Sequence, residues 1–166
     1  MARRVFFSFH YERDSVRAGQ VRNSNVVRNK TIDTSEFIDA AKWESVRRNG
    51  DDAIKRWISD QLYLTSVTVV LIGAKTSERK WVKYEIDESL DKGNGLLGIY
   101  IHQCPLFDGS TDLKGTNPFD MLTINRGGRT VYLSELYKTY DWVNDNGRER
   151  LGDWIEAAVP KQAARI

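Results

Sequence analysis

The segment Val67-Thr68-Val69-Val70-Leu71-Ile72 decides the fold class of this chain. Its residues are apolar or β-branched throughout, and no polar side chains alternate with them. Strands have this composition when helices cover both faces of a parallel sheet. Two further runs of the same kind, at residues 4–9 and 96–101, predict neighbouring strands. The sequence therefore predicts a parallel sheet with both faces buried.

Segments with the period of α-helices lie between these runs, at residues 15–29, 51–64 and 80–92. In the second segment, the carboxylates of Asp51 and Asp52 favour the N-terminus of a helix. The order strand, helix, strand, helix builds an open α/β sheet. We also expect a short strand at residues 36–39, a surface loop at 105–129 and a closing amphipathic helix over 151–159.

Length and charge limit the classes of protein to consider. The 166 residues fit one domain, covering 1–166, because domains of about 100–200 residues are typical. The 25 Lys and Arg nearly balance 23 Asp and Glu, so nucleic acid is not an expected partner. The most apolar stretch, residues 67–74, is far shorter than the roughly 20 residues of a membrane-spanning helix. We therefore expect no membrane association.

Cysteine and histidine are scarce. Cys104 is the single cysteine, and the chain has two histidines. This composition argues against a disulfide framework and against a cysteine or histidine metal centre. We therefore expect a protein of the reducing cytoplasm without a bound metal.

Open α/β sheets bind ligands at the carboxyl ends of their strands. The segments that follow the predicted strands are residues 8–12, 39–44, 73–80 and 102–103. The chain contains no P-loop, no G-x-G-x-x-G and no G-x-S-x-G, so neither a glycine-rich phosphate loop nor a serine hydrolase is indicated. His10 and His102 each follow a strand, and polar caps of strand ends are their simplest interpretation.

Trp81 and Glu85 are the most informative pair. Four residues apart on a helix, they lie about 6 Å apart along its axis and on the same face. An aromatic wall and a carboxylate then share one surface directly after the central strand. Apolar neighbours at Val82 and Ile86 would desolvate Glu85 and raise its pKa. By itself, this spacing is also common by chance in ordinary helices.

A functional role for Trp81 and Glu85 is indicated more strongly by longer stretches of the sequence, because these stretches resemble a known family. Residues 4–14 are similar to the opening strand and loop of TIR domains, and residues 77–86 to their S-x-x-W-x-x-x-E helix, with one extra residue after Ser77. Four segments resemble the TIR-like sensor proteins of the bacterial Thoeris anti-phage system: residues 6–11, 65–73, 81–86 and 140–143. The resemblance keeps its order along most of the chain.

The resemblance implies a flavodoxin-like fold and cleavage of NAD at the nicotinamide–ribose bond, with NAD as substrate and no separate cofactor. It also implies a cyclic ADP-ribose product that activates a separate effector protein, and activity switched on by a phage-derived trigger. The catalytic glutamate of the family corresponds to Glu85. The substrate-binding set that we expect comprises Ser8, Phe9, His10, Trp43, Ser77 and Trp81. Trp43 is equally consistent with a core anchor.

The chemistry of NAD cleavage needs only one carboxylate. Glycoside hydrolases use two carboxyl groups because an alkoxide leaving group must be protonated. Nicotinamide instead leaves as a neutral molecule, so the barrier lies in the oxocarbenium-like ribose, which one carboxylate can stabilise. Stacking of the two rings on Phe9, Trp43 and Trp81 would fold the dinucleotide for cyclisation.

Two alternatives remain open from the sequence. A non-catalytic adaptor would act through self-association into a homo-oligomer, with residues 47–52 and the long loop as its surface. A nucleoside deoxyribosyltransferase shares the sheet and a glutamate, but it would exchange bases on deoxynucleosides. The pairing of Glu85 with Trp81 favours the NAD-cleaving enzyme, because an adaptor does not need it.

Overall fold

The computed structural model describes residues 3–24, 32–34 and 40–160, with side chains in 3–24 and 42–160. Within these ranges, five parallel strands form the main sheet: β1 (Arg3–Ser8), β2 (Ile32–Thr34), β3 (Val67–Ile72), β4 (Gly95–Tyr100) and β7 (Thr139–Asp141). Their spatial order is β2-β1-β3-β4-β7. A separate antiparallel pair consists of β5 (Thr123–Arg126) and β6 (Arg129–Tyr132). Without that pair, the order is the 2-1-3-4-5 of a flavodoxin-like sheet, as predicted.

Helices connect and flank the strands. In the described part of the chain they are α1 (Ser15–Arg22), α2 (Ala40–Arg48), α3 (Asp51–Leu62), α4 (Lys80–Lys92) and α5 (Gly147–Ala158). Short 3-10 turns occur at Thr76–Glu78, Pro118–Asp120 and Leu133–Glu135. The predicted closing helix is confirmed as α5.

The central strand β3 is buried along its whole length because helices cover both of its faces. Val69 and Leu71 belong to the apolar cluster that includes Leu151 and Ile155 of α5. Val70 and Ile72 belong to a second cluster that includes Val82 and Ile86 of α4. Since successive side chains of a strand point to opposite faces, α4 and α5 lie on opposite sides of the sheet.

Most element boundaries differ little from the predicted ones. β1 and β4 each begin and end one residue before the predicted runs. Helix α1 ends at Arg22, and the predicted helical residues 25–29 lie outside the described residues. Helix α3 ends at Leu62, and Leu64 after it has a positive φ of 64°, which a helix cannot continue through. The predicted strand at 36–39 also lies outside the described residues.

The segment expected after the predicted strand at 36–39 and the predicted loop 105–129 both contain regular structure. Residues 40–44 belong to α2, which starts with the helix-favouring sequence Ala-Ala-Lys. The predicted loop 105–129 contains a 3-10 turn and β5. Strand β5 pairs with β6 because Gly127 and Gly128 adopt φ angles of 61° and 81°. Two consecutive positive φ values form the tight two-residue turn that suits a hairpin.

Candidate active site

The strand order reverses between β1 and β3, and this point positions the site. From β1 the chain crosses to β2 on one side, whereas from β3 it crosses to β4 on the other. In flavodoxin-like sheets ligands bind outside the carboxyl ends of the two strands at such a point. Ser8, the last residue of β1, pairs with Val70 of β3. Helix α4 covers the face on which Val70 lies.

Glu85 occupies the buried face of α4. Trp81, Val82, Glu85, Ile86 and Ser89 are the buried residues of this helix, which confirms that Trp81 and Glu85 share a face. The Glu85 side chain is fully buried. Its oxygen Oε2 accepts a hydrogen bond from the Tyr11 hydroxyl over 2.7 Å. Among the described residues, no group donates to the other oxygen, Oε1, and Ser8 Oγ nearby is buried without a hydrogen-bond partner.

Burial is the largest influence on the pKa values of Glu85 and Tyr11. It raises the pKa of Glu85 well above its ordinary value, and the hydroxyls of Tyr11 and Ser8 lower the pKa in part. The Ser8 hydroxyl has this effect although it makes no hydrogen bond among the described residues. Burial, and then the Glu85 carboxylate, raise the pKa of Tyr11. The phenol therefore stays protonated and remains a donor to Glu85.

Aromatic rings enclose Tyr11. Its ring centroid lies 4.5 Å from that of Phe9, 4.8 Å from that of Trp43 and 5.8 Å from that of Trp57. Phe9 and Trp43 are themselves buried. Large rings in such contacts leave little room for movement, so the Tyr11 hydroxyl has a defined position. In this structure Trp43 lies behind Tyr11 and exposes no face to solvent.

A charged cleft opens beside the N-terminus of α4. It has a volume of about 340 Å³ and is lined by Glu12, Arg47, Glu78, Arg79, Lys80 and Trp81. The Lys80 ammonium lies 4.7 Å from the centroid of the Trp81 ring. Glu12 Oε1 accepts hydrogen bonds from Arg79 over 3.3 Å and from Arg47 over 3.5 Å. Trp81 therefore contributes to the cleft one helical turn from Glu85.

The remaining predicted substrate residues lie at different places. His10 is half-buried, and its Nδ1 accepts a hydrogen bond from the Arg13 backbone over 3.3 Å. Burial, followed by the charge of Arg79, lowers the pKa of His10. Ser77 lies in the 3-10 turn before α4 and lines another groove, together with Pro118 and Met121. Glu85 does not line this groove, so the groove does not bring Ser77 and Glu85 together.

Sequence reasoning did not select Tyr11 as a site residue. The segment 8–12 was singled out as following a strand, but within it only Ser8, Phe9 and His10 were assigned to the substrate. Glu12 and Arg47 were not assigned either, although both line the cleft. Glu12 follows β1 and Arg47 lies on α2, and these positions are the local features that could have indicated a place in the cleft.

Other chemistries find little support in the described part of the chain. No group of three or more His, Cys, Asp and Glu side chains there could hold a metal ion. Burial raises the pKa of the Cys104 thiol to about 12, which disfavours the nucleophilic thiolate. None of the described helices combines the length and the apolar character needed to cross a membrane.

Comparison with known proteins identifies the family of this chain. Residues 6–105 match the family model described as "Thoeris protein ThsB, TIR-like domain". The chain is also 36% identical to a Bacillus cereus (strain MSX-D12) protein named "Putative cyclic ADP-D-ribose synthase ThsB1". That alignment spans 193 positions and covers 93% of this chain and all of the relative. The chain therefore belongs to the TIR-like family of Thoeris ThsB proteins.

Proposed function

We propose that this protein cleaves NAD at the nicotinamide–ribose bond and closes the remaining ADP-ribose into a cyclic product. One observation carries the proposal: Glu85 is a buried carboxylate with one oxygen bound by Tyr11 and the other without a hydrogen-bond partner among the described residues. It lies one helical turn from the cleft residue Trp81, near the edge at which flavodoxin-like sheets bind ligands. The name of the Bacillus cereus relative, a cyclic ADP-D-ribose synthase, supports the same reaction.

The reaction begins with cleavage of the bond between the ribose C1′ and the nicotinamide nitrogen. The bonding electron pair goes to nicotinamide, which leaves neutral and needs no acid. Glu85 stabilises the positive charge that develops on the ribose, and a preorganised carboxylate in a dry site does so strongly. A nucleophile of the same molecule, a ribose hydroxyl or an adenine nitrogen, then bonds to C1′. Any proton that it carries is released.

The cleft offers suitable groups for the rest of the dinucleotide. Arg47, Arg79 and Lys80 supply positive charge for the pyrophosphate, and guanidinium groups suit phosphate geometry. The Trp81 ring provides a surface against which a flat ring can stack. Substrate binding would separate Arg79 from Glu12, its partner in this structure.

The complete burial of Glu85 fits an enzyme at rest. Substrate can reach the carboxylate only if the residues around it move apart. Following the resemblance to Thoeris sensors, we propose that a phage-derived trigger causes this opening, with self-assembly of the chain as one route. The cyclic product would then diffuse to a separate effector protein.

Phage-infected cells provide the test, because a resting enzyme would be silent after purification. We would measure NAD, nicotinamide and cyclic ADP-ribose isomers by mass spectrometry in extracts of cells that express the wild type or Glu85→Gln. The Gln variant keeps the size of the side chain but removes its charge, so nicotinamide release and cyclic product should both disappear. Asp91→Asn, an exposed change on the same helix, should behave as wild type.

Undiminished product formation by Glu85→Gln would refute the assignment of the catalytic carboxylate. Stable NAD in infected cells that nevertheless require this protein for defence would favour the adaptor. Base exchange between a deoxynucleoside and a free base would favour the deoxyribosyltransferase.

A further inference from the structure

We propose that Tyr11 is a positioning residue for Glu85: its hydroxyl binds Oε2, favours the ionised over the protonated carboxylate and leaves Oε1 for the substrate. This inference rests on the proposed function, since it concerns the same carboxylate. It adds a residue that neither the family match nor the name of the relative assigns.

The Tyr11 hydroxyl and the Glu85 carboxylate lie at hydrogen-bond distance. The two oxygens are 2.7 Å apart, within the range of hydroxyl–carboxylate bonds. Tyr11 is 3% exposed and Glu85 is fully buried, so water does not compete for either atom. Seventy-four positions separate the two residues along the chain. The bond therefore ties the segment after β1 to α4 across the point where the strand order reverses.

Tyr11 is held by its ring, which leaves its hydroxyl free to act on Glu85. Phe9 and Trp57 contact the ring edge-on, and Trp43 contacts it at a tilt. These contacts are between rings and do not require the Tyr11 hydroxyl. Tyr11→Phe would preserve them and remove only the donor.

No cation acts on Glu85 within the described residues. Besides burial, the influences on its pKa are the hydroxyls of Tyr11 and Ser8, both from the β1 side. Trp43 of α2 and Trp57 of α3, which contact the Tyr11 ring, carry no charge. On α4 itself, Ser89 Oγ donates to the backbone carbonyl of Glu85 and not to its carboxylate. Among the described residues, the groups that favour the ionised form of Glu85 are therefore two hydroxyls. Of these, only the Tyr11 hydroxyl makes a hydrogen bond to the carboxylate.

The dependence on pH separates positioning from general structural support. A hydrogen bond to the charged form lowers a carboxyl pKa, so its loss should raise the pKa of Glu85. In Tyr11→Phe, assayed in lysates of phage-infected cells adjusted to each pH, the acidic limb of the kcat/KM profile for NAD cleavage should move to higher pH by about one unit. Activity would fall about tenfold on that limb and return towards the wild-type value at high pH. Tyr63→Phe, at an exposed tyrosine, should leave the profile unchanged.

Direct titration of Glu85 tests the same point without activity. With ¹³C-carboxyl-labelled glutamate, the Glu85 signal is assigned by its loss in Glu85→Gln, and its midpoint is followed by NMR. Tyr11→Phe should shift the midpoint upward. Replacing Tyr11 with 3-fluorotyrosine keeps the hydroxyl and makes it a stronger donor, so the midpoint should shift downward. This second variant covers the case in which Tyr11→Phe does not fold.

The NMR midpoint and the NAD-cleavage assay test different claims, so their outcomes can be told apart. If the midpoint shifts but NAD is never cleaved, the proposed function falls and the effect of Tyr11 on Glu85 stands. If neither Tyr11→Phe nor 3-fluorotyrosine moves the midpoint, the inference about Tyr11 is overturned whatever the activity. A uniform loss of activity across pH, with an unmoved midpoint, would show that Tyr11 only supports the fold.

Discussion

The indole Nε1 of Trp43 donates a hydrogen bond to Oε1 of Glu12 over 3.1 Å. The same oxygen accepts from Arg47 and Arg79. One carboxylate thus joins the segment after β1, helix α2 and the residue that precedes α4. These are the elements that surround the cleft next to Glu85.

Replacing Glu12 should loosen this junction. Glu12→Ala leaves the Trp43 indole nitrogen without its acceptor, and an unsatisfied buried donor costs about 1–3 kcal/mol. Glu12→Gln keeps an acceptor and should lose less. Urea unfolding at pH 7 would measure both. Glu78→Ala is the matched control, because Glu78 lines the same cleft but is largely exposed and pairs with the exposed Lys75 at a distance of 3.8 Å. Equal losses in all three variants would contradict a specific role for Glu12.

The pH dependence of Glu12 has a definite sign. The hydrogen bond from Trp43 is the largest influence that lowers the pKa of Glu12 below its ordinary 4.5. Since the folded pKa is the lower one, this stabilisation is present above 4.5 and is lost as the pH falls through the folded pKa. The difference in unfolding free energy between wild type and Glu12→Gln should therefore shrink in acid. A difference that grows on acidification would contradict this.

Trp43 should contribute to stability more than to substrate affinity. Its indole is fully buried and contacts Tyr11 and Trp57. Trp43→Ala should lower the unfolding free energy by about 3–5 kcal/mol, as for other buried aromatic residues. Trp43→Phe should lose less stability and leave the KM for NAD, measured in lysates of phage-infected cells, close to wild type, whereas Trp81→Phe should raise this KM. A raised KM in Trp43→Phe with unchanged stability would favour the stacking role that the sequence suggested.

Local sequence signals explain which parts of the fold were predictable. The unbroken apolar run of β3 reflects burial on both faces, so the sequence of this one strand is enough to predict a sheet covered on both sides. Helix α4 ends at Lys92 because Gly93 adopts the left-handed φ of 86° that a following glycine permits, and the Lys92-Gly93 pair indicates this. The spacing of Trp81 and Glu85 on one face follows from helix geometry alone.

Long-range contacts explain what was missed. The hydrogen bond between Tyr11 and Glu85 joins two elements whose relative placement no local pattern encodes. The helical position of Trp43 behind Tyr11 likewise depends on packing between α2 and the segment after β1. The hairpin formed by β5 and β6 was locally encoded at Gly127-Gly128, but its strands are short and mostly exposed, so apolar patterning did not reveal them.

Gly73 should tolerate no side chain. A Cβ at this position, directly after β3, would overlap the buried carboxylate of Asp14. Overpacking of this kind typically costs about 1–3 kcal/mol, so Gly73→Ala should lower the unfolding free energy by that order. Gly19→Ala, in helix α1 with open space around it, should instead raise it by about 0.5–1 kcal/mol. Equal stability of the two variants in urea unfolding would show that Asp14 can move away.

Asp14 itself should destabilise the protein at neutral pH. Burial raises its pKa from 3.8 to about 6, against the opposing charges of Arg13 and Arg17. Because the folded pKa is the higher one, the contribution of this group to stability is complete below 3.8 and is lost as the pH rises through about 6. A shift of this size corresponds to roughly 2–3 kcal/mol at pH 7. Neutral Asp14→Asn should therefore be more stable than wild type at pH 7 by up to that amount, with little difference at pH 4.

Asp112 provides the control of opposite sign for this experiment. A hydrogen bond from Arg13 is the main influence that lowers the pKa of Asp112. Its stabilisation is therefore present above the ordinary value of 3.8 and disappears as the pH falls through the folded pKa. Asp112→Asn should be less stable than wild type at pH 7, and the gap should close in acid. Denaturant unfolding of both variants at pH 4 and pH 7 measures the two signs together. Loss of stability in Asp14→Asn at pH 7 would mean that attraction to Arg13 and Arg17 outweighs burial.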